Sequence, residues 1–147
     1  MSRALAVLLA AAAGGLVGLQ APVNARLGRQ VGSLQAATVS FVVGTIALIL
    51  LTGLSSGGLG GIGNATKAPW WALVGGLLGA FFVTVALLTV RTLGVSGLTA
   101  IVVAGQLATA AAVDRLGLFG IAKQHLAAPR ILGLVLLLVG AVLVVRK

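Results

Sequence analysis

The sequence predicts an all-α polytopic membrane protein with five transmembrane helices. Hydrophobic residues make up 60% of the 147 residues and charged residues only 7%, whereas soluble domains carry about 25% charged residues. The ten Lys and Arg residues are scattered between apolar runs, where they serve as loop anchors. We therefore expect the lipid bilayer as a partner and no nucleic acid, since these loop anchors account for the net charge of +9.

The predicted spans cover residues 4–23, 34–54, 70–90, 95–113 and 130–145, within a single transmembrane domain of residues 1–147. Arg26 and Arg29 are expected in a short basic loop after the first span. Residues 55–68 are rich in Gly and Ser and predict a flexible loop. Residues 114–129 mix apolar and basic side chains, which predicts an interfacial loop.

The chain contains few residues of the types that carry out catalysis. Cysteine is absent, and the sequence holds one His and a single acidic residue. Neither a catalytic triad, nor a pair of carboxylates, nor a zinc site can be assembled from this inventory within one chain. We therefore expect no enzyme activity, no metal and no cofactor.

The end of the first span is expected to be irregular. Pro22 has no amide hydrogen, so the carbonyl of Gly18 loses its helical partner and Pro22 becomes a candidate hinge. Gln20 and Asn24 are four residues apart and share a helix face. With the Gly18 carbonyl they could line a polar pathway, as irregular backbone in a membrane usually does. The alternative is that these residues only mark a helix end at the interface.

The fourth span carries the most informative polar residue. Gln106 lies roughly 15 Å into an apolar run that opens near Ser96, about halfway through a hydrocarbon core of about 30 Å. An amide at that depth faces protein or water, so it either lines a substrate pathway or ties two helices together. Asp114, the only acidic residue, falls at the membrane boundary beside Arg115. It is either a coupling residue or part of an interfacial ion pair.

Small and aromatic residues suggest how the helices are packed and anchored. Trp70 and Trp71 follow a proline at the start of the third span, where paired tryptophans suit the headgroup interface. Glycines spaced along the helices permit close approach of a neighbouring backbone. The predicted packing positions are Gly14, Gly18, Gly75, Gly76, Gly79 and Gly105.

The positive charges predict no preferred orientation. With five spans, one side of the membrane receives Arg3, Lys67, Arg115, Lys123 and Arg130. The other side receives Arg26, Arg29, Arg91, Arg146 and Lys147. Because the Lys and Arg bias sets topology, this balance predicts dual insertion, unless unequal weights of individual charges leave a weak preference. Two inverted copies would form an antiparallel ten-helix homodimer with inverted-repeat pseudo-symmetry, as in many alternating-access transporters.

Three sequence patterns together resemble the YdcZ family of the drug/metabolite transporter superfamily. They are Gly18-Leu-Gln20-Ala-Pro-Val-Asn24, Pro69-Trp70-Trp71 with Gly75, Gly76 and Gly79, and Gly105-Gln106-Leu107 with Asp114 and Gly117. The resemblance covers essentially the whole chain. It implies a five-helix exporter of the bacterial inner membrane that occurs as a dual-topology homodimer, as paired subunits or as a fused ten-helix protein.

The chain is also similar to the small multidrug resistance proteins, which exchange protons for organic cations through a glutamate in the first helix. This chain contains no Glu, so the resemblance does not carry that mechanism over unless Asp114 replaces the glutamate. The amides fit a neutral, zwitterionic or anionic substrate better than a lipophilic cation.

We therefore expect a secondary transporter that exports a small polar metabolite or xenobiotic. It would work by alternating access as an antiparallel homodimer or with an inverted paralogous subunit. Gln20, Asn24 and Gln106 are the expected pathway residues. A non-transporting membrane scaffold or accessory subunit and a passive small-solute channel are the alternatives.

Overall fold

The computed structural model describes residues 1–123, 125 and 127–146, and all regular structure in this part of the chain is helical. The α-helices are α1 (Arg3–Val31), α2 (Ser33–Leu54), α3 (Gly75–Leu116) and α4 (Ala128–Val145). Short 3-10 helices cover Gly58–Lys67, Trp70–Val74 and Leu118–Gly120. The prediction of an all-helical chain is confirmed. Gln124 and Leu126 of the predicted interfacial loop, and Lys147 of the charge balance, lie outside the described residues.

Among the described residues, four helical segments are long and apolar enough to cross a membrane, where the sequence predicted five. The difference lies in the segment Trp70–Leu116, which covers both the third and the fourth predicted spans. The predicted turn between them is reduced to one non-helical residue, Gly94, with φ 71° and ψ 170°. A positive φ is accessible to glycine without a Cβ penalty. The backbone therefore leaves the helical conformation at this position alone.

The first helix extends beyond its predicted end. α1 continues through Pro22 to Val31, so the expected basic loop at Arg26 and Arg29 is wrong and both residues are helical. A proline removes a single backbone donor, and the helix can resume on its far side. The helix ends where Gly32 adopts φ 96° and its N–H bonds the Gly28 carbonyl at 3.0 Å.

The connecting segments also depart from the predicted boundaries. The glycine-rich segment expected to be a flexible loop contains the 3-10 helix Gly58–Lys67. The third span begins with a 3-10 turn and becomes α-helical only at Gly75. Helix α4 begins at Ala128 and carries its proline at the first helical turn, where the missing N–H costs nothing.

The chain comprises two compact units, Met1–Thr89 and Val90–Lys147. In the first unit, α1 and α2 form an antiparallel hairpin around Gly32. A Cβ placed on Gly28 would lie 3.6 Å from Cδ2 of Leu87 and 3.7 Å from Cβ of Ala36. The small core of this unit consists of Ala36, Ala37, Val83 and Leu87, with Ala25, Leu27 and Phe82 packed against it.

In the second unit, the part of α3 after Gly94 pairs with α4. A Cβ on Gly97 would lie 3.5 Å from Cγ2 of Val145, and at the other end Arg130 bonds Asp114. Early residues of one helix thus meet late residues of the other, so the pair is antiparallel. Buried residues at Gly97, Ala104 and Ala111 recur every seven positions and form the stripe that allows this close approach.

Candidate functional site

Asn24 is the buried polar side chain of the described chain, with 6% of its surface exposed. Its Nδ2 donates a hydrogen bond of 3.2 Å to Oγ of Ser40 on α2. Asn24 lies eight residues before Gly32 and Ser40 eight residues after it, so the bond joins matching levels of the hairpin. The bond places Asn24 in a helix-to-helix contact, whereas its predicted role on a substrate pathway stays a prediction.

Gln20 lies one turn further from the hairpin turn and is exposed. Continuing the pairing of Asn24 with Ser40 by one turn would bring Gln20 opposite Gly44. Apart from the glycine's own helix turn, nothing lies within 4 Å of a Cβ built on Gly44. Gly44 therefore makes no close contact with α1 at the level of Gln20.

Gln106 is exposed in the second unit. It follows Val95, the first residue after the break at Gly94, by a rise of roughly 16 Å, and precedes the end of α3 by roughly 15 Å. At about 100° per residue, Gln106 is turned roughly 160° from buried Ala104 and roughly 140° from buried Ala111. The amide thus occupies the face of α3 opposite to α4.

The predicted packing glycines behave differently within one chain. Gly79 faces the ring of Phe41, whose Cζ would lie 3.3 Å from an added Cβ. For the other predicted packing glycines nothing outside their own helix turn lies within 4 Å of such a Cβ, namely Gly14, Gly18, Gly75, Gly76 and Gly105. Their role in helix packing stays a prediction.

Asp114 forms an ion pair with Arg130 at the start of α4, whereas the sequence had suggested its neighbour Arg115 as the partner. Arg115 follows Asp114 directly, and consecutive residues on a helix point in directions about 100° apart. Arg130 comes from the antiparallel partner helix. The side chains of Arg130 and Asp114 are 41% and 20% exposed, which indicates a partly solvated pair.

The predicted anchors Trp70 and Trp71 are 78% and 46% exposed and lie in the 3-10 turn before α3.

A groove of about 420 Å³ also lies in the first unit, between α2 and α3. Two of its hydroxyls, on Thr38 and Thr84, donate to carbonyls of their own helices. This groove is therefore largely apolar and offers little to a polar solute.

Sequence reasoning missed several residues that organise these contacts. Ser40 was not among the predicted pathway residues, yet it accepts the hydrogen bond from Asn24. The stripe of Gly97, Ala104 and Ala111 was overlooked in favour of Gly105, which lies one residue away from Ala104. A spacing of seven between small residues is the signal that could have found it.

Comparison with known proteins identifies relatives of this chain. The family described as "Putative inner membrane exporter, YdcZ" matches residues 5–143. The inner membrane protein YdcZ of Escherichia coli (strain K12) is 36% identical over 91 residues. That alignment covers 61% of this chain and 60% of the relative. No solved structure matches this chain.

Proposed function

This chain belongs to the YdcZ family, and from that premise we propose that it is a secondary transporter that exports a small polar metabolite or xenobiotic. Its place is the inner membrane, as a multi-pass protein, in keeping with its apolar helices and its relative in Escherichia coli. The observation that carries the transport proposal is the position of Gln106. An exposed amide near the middle of a membrane-length helix needs a polar partner, because lipid supplies none.

The proposed topology has five spans, with Gly94 at a membrane boundary. The segment Trp70–Leu116 has 47 residues, whereas one crossing of the hydrocarbon core takes about 20. The non-helical residue at Gly94 divides this segment into two parts, each close to the length of one crossing. Five spans restore the equal division of Lys and Arg between the two sides that favours dual insertion.

An antiparallel homodimer is the proposed working unit. The best membrane-length window of α1 contains no buried residue, and Gly14 and Gly18 on this helix face open space within the chain. Van der Waals packing against small residues is a major source of helix association in lipid. A second copy in the opposite orientation would supply that packing and would bring a second Gln106 to similar depth.

The residues proposed to line the pathway are Gln20 and Asn24 on α1 and Gln106 on α3. Gln20 is an exposed amide, and Thr99, seven residues before Gln106, shares its face of α3. Alternating access requires an element with two arrangements. Pro22 suits the hinge, because the carbonyl of Gly18 has no amide partner at that turn.

Solute flux tests this proposal. Proteoliposomes loaded with a mixture of amino acids, sugars and nucleosides are assayed for export by mass spectrometry, with and without an ion gradient. We expect gradient-driven efflux of one solute class. In Gln106→Ala that efflux falls about tenfold, which is the effect of one lost hydrogen bond of about 1.4 kcal/mol. Gln30→Ala serves as the matched control, since Gln30 is an exposed amide near the end of α1.

Three results would count against the proposal. Efflux that no gradient can drive uphill would indicate a passive channel. Equal efflux from the wild type, Gln106→Ala and Gln30→Ala would remove Gln106 from the pathway. Absence of efflux for every solute class, from protein that remains folded and dimeric, would favour the scaffold or accessory subunit.

A further inference from the structure

A basic cavity lies where α3 ends, apart from the proposed pathway. It has a volume of about 280 Å³ and is lined by Arg115, Leu116, Lys123 and His125. Two of these side chains carry full positive charges. The chain has a single acidic residue, Asp114, and Arg130 engages it. No second side-chain carboxylate is therefore available to neutralise Arg115 and Lys123.

The geometry of the turn sets the position of Lys123. Gly117 ends α3 in the left-handed conformation, with φ 66°. A Cβ added to Gly117 would lie 2.6 Å from Cγ and 3.4 Å from Cε of Lys123. The stem of Lys123 therefore lies closely over the glycine, and a side chain at position 117 would displace it. This contact ties one wall of the cavity to the end of the helix that carries Arg115.

Large apolar side chains are exposed next to this cavity. In the 3-10 turn after Gly117, Leu118 is 42% and Phe119 66% exposed, and the following Ile121 is 46% exposed. Basic side chains beside exposed apolar ones are typical of the boundary between lipid headgroups and acyl chains. This neighbourhood favours a ligand that has both an anionic group and an acyl chain.

We propose that the cavity of Arg115, Lys123 and His125 binds the phosphate group of an anionic phospholipid. The guanidinium of Arg115 donates to phosphate oxygens as a planar fork, and the ammonium of Lys123 acts as a point charge. The carbonyl end of α3 carries about half a negative elementary charge, which repels the anion. The two full positive charges of Arg115 and Lys123 exceed this negative charge.

Native mass spectrometry of the detergent-solubilised protein tests this site, with phosphatidylglycerol as the probe and zwitterionic phosphatidylcholine for comparison. We expect the double variant Arg115→Gln/Lys123→Gln to bind phosphatidylglycerol about twenty-five-fold more weakly. Each basic side chain near an anionic lipid surface contributes a factor of about five. The double variant Arg3→Gln/Arg91→Gln removes the same charge elsewhere and should bind within about twofold of the wild type. An equal loss in both double variants would overturn the proposal.

Glycine variants test the position of Lys123 independently of charge. Gly117→Ala places a methyl group against the Lys123 stem. Gly120→Ala also places alanine at a positive φ, 78°, but no described residue lies within 4 Å of the new Cβ. We expect weaker binding of phosphatidylglycerol in Gly117→Ala than in Gly120→Ala. Equal affinities in these two variants would contradict the assigned role of Lys123.

Competition separates the lipid from a soluble phosphate compound. Glycerol 3-phosphate and inorganic phosphate are added at millimolar concentration to the complex with phosphatidylglycerol. Retention of the lipid supports the proposal. Displacement of the lipid by either solute would be followed by measuring binding of that solute to the lipid-free protein. If Arg115→Gln/Lys123→Gln abolishes this binding, the cavity is a site for soluble phosphate and the assignment to lipid is overturned.

Discussion

The hydrogen bond between Asn24 and Ser40 yields a quantitative prediction, because it separates a structural contact from a pathway residue. Asn24 is 6% exposed and its Nδ2 lies 3.2 Å from Oγ of Ser40. Hydrogen bonds between membrane helices contribute about 0.6 kcal/mol on average and about 1.7 kcal/mol at most. A separation of 3.2 Å is at the long end of the usual range for such bonds. We therefore expect a coupling energy of about 0.5–1 kcal/mol.

The assay is a double-mutant cycle on the purified protein in mixed micelles. Unfolding by sodium dodecyl sulfate is followed by circular dichroism for the wild type, Asn24→Ala, Ser40→Ala and the double variant. Asn24→Ala should cost about 1–2 kcal/mol, since it loses both the bond and buried side-chain contacts. Ser40→Ala should cost less, because the smaller hydroxyl group leaves a smaller gap. The coupling energy follows from the difference between the double variant and the sum of the single variants.

A coupling energy below about 0.2 kcal/mol would refute the structural role of this bond. Flux measured on the same four proteins then separates the two roles of Asn24. If the contact only holds α1 to α2, flux should fall in parallel with stability in both single variants. Loss of flux in Asn24→Ala alone, with Ser40→Ala fully active, would assign Asn24 to the pathway.

Three further predictions concern the core, the break in α3 and the ion pair. Leu87→Ala should destabilise the protein by about 2–4 kcal/mol, because Leu87 is 2% exposed, whereas Leu88→Ala at a 60% exposed position should be nearly neutral in the same unfolding assay. Gly94→Ala should lower the free energy of unfolding by about 1–2 kcal/mol because of its φ of 71°. The control Gly105→Ala, inside the helix with open space around its Cβ, should be neutral or stabilising. Equal melting temperatures of these two variants would contradict the assigned break. Asp114→Asn should change the free energy of unfolding by less than about 1 kcal/mol and leave flux intact, as expected for a partly solvated ion pair. Loss of flux with unchanged stability would make Asp114 a coupling residue.

Hydrophobic runs predicted the helical class correctly, since composition and length alone identify membrane helices. Helix ends were harder to predict. Pro22 suggested a boundary, yet a proline removes only one donor, and the actual end came at Gly32, whose backbone conformation cannot be read from its identity alone. An interruption was predicted between the spans 70–90 and 95–113, and in the structure it is a single non-helical residue, Gly94.

The candidate site illustrates a different limit of sequence reasoning. The polarity of Gln20, Asn24 and Gln106 identified them as unusual in apolar helices, and that inference needed no coordinates. Their surroundings depend on which helix faces pack, which rests on contacts far apart in sequence. Asn24 turned inward to Ser40, whereas Gln106 lies opposite to the α4-facing stripe. Similarly, predicting that Asp114 pairs with Arg130 requires knowledge of the register of the antiparallel helix pair.

The most direct test of an antiparallel transporter is the orientation of its copies in the membrane. The chain contains no native cysteine, so one cysteine added after Lys147 and, separately, Gly61→Cys supply unique labelling sites. Intact cells are treated with an impermeant thiol reagent, and labelled protein is compared with the total after permeabilisation. About half of the copies should label from outside at each site if the protein inserts in both orientations. Labelling of all copies or of none at either site would show a single orientation and contradict the antiparallel homodimer.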